Sequence, residues 1–123
     1  METLLPAIAA YVILTLVLLW VGNAGAKGSL TPNGAVGVRT TETRKSLQAW
    51  TRAHRAFLPF AVAVAVTCAV FTVALPIMYF ANFGTEYLGV LVVASYVVIL
   101  GIVIAGGIAA HRVAKEFNEA GAL

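Results

Sequence analysis

Phe57–Phe80 reads FLPFAVAVAVTCAVFTVALPIMYF, 24 residues without a charge. A helix rises about 1.5 Å per residue and a bilayer core is about 30 Å thick, so this run is long enough to cross a membrane. Two further runs, Thr3–Ala26 and Tyr87–Ala110, are also uncharged and 24 residues long. The fold class follows: an all-α membrane protein with three transmembrane helices. The whole chain, 1–123, reads as one membrane domain with spans at about 3–26, 57–80 and 87–110 and a loop over 27–56. Composition agrees, with 61% hydrophobic and 11% charged residues. Soluble domains carry about a quarter charged residues.

The first run differs from a secretory signal. Glu2 is the only charge before it, and the run exceeds the usual apolar region of about 7–15 residues. Ala24-Gly25-Ala26 resembles a cleavage site, but a retained helix is the expectation. Cys68 is the only cysteine and lies mid-span, where an apolar thiol is a packing residue.

Orientation is read from the basic residues. Lys27, Arg39, Arg44, Lys45, Arg52 and Arg55 lie between the first two spans, and Arg112 and Lys115 follow the third. The link between spans two and three carries only Glu86. Basic loops stay cytoplasmic, which predicts an outside N-terminus and a cytoplasmic C-terminus.

Within the spans, Pro76 is expected to kink the second, and Tyr11, Trp20, Tyr79, Phe80 and Tyr87 include interface aromatics. Gly101/Ala105 and Gly106/Ala110 are small pairs four apart, suited to close helix packing within the unit or on a partner. No span holds an ionisable acid or base of the kind that relays protons or ions.

The loop carries most of the polar information. Lys27-Gly-Ser-Leu-Thr-Pro-Asn-Gly is rich in turn formers, Asn33-Gly34 marks a turn and Gly37 suits an unusual backbone angle. Thr41 or Thr43 is expected to cap a helix from about Arg44 to Phe57. Leu47, Trp50, His54 and Phe57 share one face of it, and Arg44, Gln48, Arg52 and Arg55 another. That pattern predicts a cytoplasmic amphipathic helix on an anionic leaflet, either separate or running into the second span through Pro59.

Asn33, Gly37-Val38-Arg39-Thr40, Thr43, Ser46, Trp50 and His54-Arg55 stand in an order and spacing that resemble the signature of the SdpI family. These are small bacterial membrane proteins named after a toxin-immunity protein. One departure is Arg44, where the pattern has an apolar residue after Thr43. The resemblance implies a non-enzymatic membrane protein that senses or sequesters a partner, as the immunity member does with a toxin and a repressor.

Physically, the forked donors of Arg39 and Arg55, with Thr40, Thr43 and Ser46 hydroxyls, suit a lipid phosphate or a partner's carboxylate. The alternative is a loop that satisfies itself, with Arg39 on Glu42 or helix carbonyls and Trp50 anchored at the interface. His54 and His111 make a poor metal site, and no nucleophile–base pair or paired carboxylates suggest catalysis. No catalytic residue, metal, cofactor or nucleic acid is expected. Expected partners are anionic lipids and a membrane protein or a second copy. Two alternatives stand beside the sensing role. One is an accessory or scaffold subunit of a larger membrane complex. The other is a MAPEG-like glutathione transferase, which Arg52-Ala-His-Arg-Ala-Phe loosely resembles, although that fold has four spans.

Overall fold

The computed structural model describes residues 1–121. Its three long helices are α1 (Leu4–Lys27), α2 (Leu47–Phe80) and α3 (Leu88–Gly121), with a short 3-10 turn at Thr85–Tyr87 before α3. Each is long and apolar enough to cross a membrane, and no strand occurs among the described residues. The chain is thus an all-helical, multi-pass membrane protein.

α2 lies between α1 and α3 and packs on both. Large apolar side chains such as Leu16, Val66, Ile77, Val97 and Ile108 point outward from the three helices and are exposed. In water such a surface would drive aggregation; in a bilayer it is the solvated one. The core is narrow. Leu4, Ala7 and Tyr11 of α1 meet Val64, Cys68 and Leu75 of α2 and Val92 and Ile99 of α3. Toward the basic end, Ala49, Ala53, Phe57 and Ala61 of α2 face Ala110 and Ala114 of α3. Alanine on both facing surfaces lets these two helices approach closely.

Tyr11 is fully buried rather than at the interface. Its Oη lies 2.6 Å from Ser95 Oγ, which donates to the Val92 carbonyl at 2.6 Å. The serine's single proton is thereby used, so the tyrosine donates. A polar group in the lipid core needs a partner, and α1 and α3 supply it to each other. Trp20, Phe80 and Tyr87 are exposed.

α2 and α3 each have 34 residues, giving lengths of about 50 Å against a bilayer core of about 30 Å. Both therefore extend beyond their uncharged runs at the basic end. The loop 28–46 packs against these extensions. This corrects the expected amphipathic helix. No separate helix forms between α1 and α2; residues 47–57 are the first turns of α2 itself. The face bearing Trp50, Ala53, His54 and Phe57 is buried in protein, not laid on a leaflet. The cap also differs. Ser46, not Thr41 or Thr43, precedes the helix, and its Oγ accepts the Ala49 N–H at 3.0 Å. Thr43 is drawn into the loop's interior instead. Pro59 and Pro76 both lie inside the continuous α2.

Candidate functional site

The loop begins where α1 ends. Gly28 takes a left-handed conformation, φ 83°, and its N–H donates to the Gly25 carbonyl at 3.2 Å. A turn around Asn33 follows. Asn33 Oδ1 accepts the N–H groups of Ala35 and Val36 at 2.8 and 2.7 Å. Its Nδ2 donates to the carbonyls of Thr31 and Val36. One side chain thus replaces the ladder that an irregular segment lacks.

Gly37 has φ 123°, and a Cβ there would lie 2.6 Å from the Trp50 ring and 3.0 Å from His54 Nε2. Backbone angle and space both demand glycine. Trp50 is fully buried, donates Nε1–H to the Leu30 carbonyl at 2.7 Å, and stacks its ring 4.3 Å from that of His54. On the far side of the histidine stands Gly25 of α1, where a Cβ would come within 2.2 Å of the imidazole.

His54 is held from both ends. Nε2 lies 3.1 Å from the Val38 backbone nitrogen, which can only donate. Nε2 must accept, so the proton sits on Nδ1, 2.8 Å from the Trp50 carbonyl. The site selects the neutral imidazole. Burial pushes its pKa below the ordinary histidine value, partly offset by the Trp50 carbonyl bond. Both ring nitrogens are engaged, leaving neither for a metal or a general base.

Thr40, Thr43 and Ser46 close the loop onto α2. Thr43 Oγ1 accepts the Thr40 N–H at 2.8 Å and donates to the Val38 carbonyl at 2.7 Å. Thr40 Oγ1 in turn accepts the Thr43 N–H at 3.2 Å. The extended end of α3 supplies a second set of ties. His111 Nδ1 lies 2.8 Å from Thr40 Oγ1. Asn118 Nδ2 donates to the Glu42 carbonyl at 2.8 Å and to its Oε2 at 2.9 Å. Arg52 sits 4.6 Å over the Phe117 ring. The Asn118 bond and then the Lys45 ammonium, 3.1 Å away, hold the Glu42 carboxyl below its usual range.

The singled-out residues therefore divide. Gly37, Trp50 and His54 pack together and Thr40 and Thr43 bond each other, while Asn33 folds the preceding turn and Ser46 caps α2. Arg39 and Arg55 are exposed; Arg39 Nη1 donates to the Gly34 carbonyl of its own loop, not to Glu42. The small residues of α3 divide as well. Gly106 and Ala110 are buried, with Gly106 tight against Phe57 and Phe60 of α2, whereas Gly101 and Ala105 are exposed and nothing lies within 4 Å of a Cβ at Gly101. Among the described residues, no group of three His, Cys, Asp or Glu side chains could hold a metal ion.

Sequence reasoning missed Gly22, where a Cβ would lie 2.8 Å from Leu58 of α2, and Gly25, His111 and Asn118 as members of this assembly. The two glycines carried a signal, being small residues three apart at the end of α1. The others carried none, because their partners lie 71 and 76 residues away in the chain.

No curated protein and no solved structure matches this chain. The sequence profile of the SdpI/YfhL protein family matches residues 29–108, which takes in the loop, all of α2 and most of the third span. That stretch contains every residue of the Asn33–Arg55 signature and well over half of the chain, and the protein belongs to the SdpI/YfhL family.

Proposed function

We propose that this protein is a non-enzymatic module of the bacterial inner membrane that senses or sequesters a partner at the cytoplasmic face. In this reading the N-terminus lies outside and the C-terminus inside. The observation that carries it is the division of labour within the loop. The uncharged signature side chains fold the loop and tie it to α2 and α3, while Arg39, Arg44 and Arg55 stand exposed on that base. Fixed guanidinium groups on a preorganised platform suit an anionic group of a partner, because the ordering cost is met in folding.

A pulldown from mild detergent tests this. The wild-type chain is expected to retain a partner that the Arg39→Lys and Arg55→Ala variants lose. Equal recovery by all three sinks the reading.

One observation favours a second reading, an accessory subunit of a larger membrane complex. Gly101 and Ala105 lie exposed on the lipid-facing side of α3, where a partner helix could approach closely. A stoichiometric partner lost on Gly101→Leu, but kept on Arg39→Lys, selects it.

A further inference from the structure

α1 and α3 are joined by the Tyr11–Ser95 bond within the bundle, but toward the basic end a cavity of about 410 Å³ opens between them. Val17, Leu18 and Val21 of α1 form one wall, and Val103 and Gly107 of α3 the other. Phe57 of α2 helps to line it. The loop segment Ala35-Val36-Gly37-Val38 lines it too. These are the only consecutive apolar residues of that length in the loop, and Val36 is exposed. A polar loop thus turns its one apolar segment toward a cleft whose other walls belong to membrane-spanning helices.

We propose that this cleft is a binding site for one acyl chain of an anionic phospholipid from the leaflet at the basic end. The proposal is independent of the partner-sensing reading. The volume falls in the range of small-molecule sites, about 300–1,000 Å³, and the walls are apolar. The charge selects the headgroup. Arg39 directly follows Val38, is exposed, and shares this end with Arg44, Lys45, Arg52, Arg55, Arg112 and Lys115. Against these cations stand Glu42, Glu116 and Glu119, of which Glu42 is already engaged by Lys45 and Asn118, so this end keeps a net positive charge. Basic residues at a membrane surface attract acidic lipids. The acyl chain fills the space between α1 and α3, and the phosphate lies at the level of the loop.

Gly107 makes the test clean, because a Cβ there meets nothing within 4 Å. Gly107→Leu projects into the cleft without disturbing helix contacts. Gly89→Leu adds the same side chain to α3 where a Cβ is equally unobstructed, outside the cleft lining. Val36→Trp fills the cleft from the loop side. The full chain in detergent is incubated with equal phosphatidylglycerol and phosphatidylcholine of matched chain length, and bound lipid is read by native mass spectrometry.

The expected result is one retained phosphatidylglycerol on the wild type and on Gly89→Leu. Gly107→Leu and Val36→Trp lower it about tenfold, the equivalent of about two methylenes losing their contact. Arg39→Gln reduces the preference for phosphatidylglycerol over phosphatidylcholine. Unchanged lipid on both cleft-filling variants overturns the proposal, as does equal retention of the two lipids by the wild type. Equal loss on Gly89→Leu shows nonspecific annular lipid and also overturns it. A wild-type dimer that Gly107→Leu dissociates, with bound lipid unchanged, puts a second copy in the cleft instead.

Discussion

His54 Nε2 accepts the backbone N–H of Val38 across 3.1 Å, joining the first turns of α2 to the middle of the loop. The bond exists only while the imidazole is neutral, since a protonated Nε2 would face another donor. Around the ring stand Gly25 of α1, Gly37 and Val38 of the loop and Trp50 of α2, none of which carries a charge. The loop's order is thereby tied to the protonation of one side chain.

A pH dependence of stability follows. The folded-state pKa of His54 lies below the unfolded value near 6.5, so between the two the unfolded chain binds more protons. Its contribution is complete above about pH 6.5 and is lost as pH falls from there toward the folded value. The melting temperature of the protein in mild detergent is expected to drop over this window, and His54→Gln to flatten the drop. Glu42, also depressed in the fold, gives a loss in the same direction but only below its ordinary carboxylate range. A wild-type profile flat from pH 7.5 to about pH 5.5 refutes the role given to the imidazole.

The glycines that enclose the histidine make a second prediction. Gly25→Ala places a methyl group inside the imidazole, and Gly37→Ala combines a clash on Trp50 with a left-handed backbone. Overpacking of this kind costs about 1–3 kcal/mol, so both variants should melt well below the wild type. Gly34→Ala, where no φ in the left-handed region and no neighbour within 4 Å opposes a methyl, should melt with it. Denaturation monitored by Trp50 fluorescence in a Trp20→Phe background compares the three; equal midpoints would show that the loop yields freely.

Arg39 separates support from recognition. It is exposed and makes one bond to its own loop, so Arg39→Lys should change stability by no more than about 0.5 kcal/mol. Partner or lipid co-purification should fall, since lysine keeps the charge and loses the fork. A large drop in melting temperature would instead make Arg39 a clamp of the loop, and no change in either quantity would reduce it to a topogenic charge.

Orientation is checked by reporter fusions. Phe83 lies in the link between α2 and the 3-10 turn, at the end with few charges. A fusion after Phe83 is expected to report outside, and one after Leu123 inside. A cytoplasmic signal at Phe83 reverses the topology and moves the loop and its arginines to the other side of the membrane.

Sequence alone determined that the chain is helical and crosses a membrane, because runs such as Phe57–Phe80 have no other way to satisfy a backbone in lipid. It also marked the loop, since Gly37, Trp50 and His54 stand in a family's order and a left-handed glycine has a local cause. What the helical period could not reveal is what covers a face. The spacing of Trp50, His54 and Phe57 is the same for a helix on a leaflet and for one beneath a folded loop. The difference was made by Gly25 at the end of α1 and by the extension of α3, whose His111 and Asn118 reach Thr40 and Glu42. Those contacts join segments that are distant along the chain and meet only because α2 and α3 outrun the membrane at the same end. The fate of the two small pairs on α3 was decided the same way. Gly101 and Gly106, five residues apart, stand about 140° apart around the helix, and which of the two faces α3 turns to Phe57 and Phe60 of α2 buries Gly106 and leaves Gly101 facing outward.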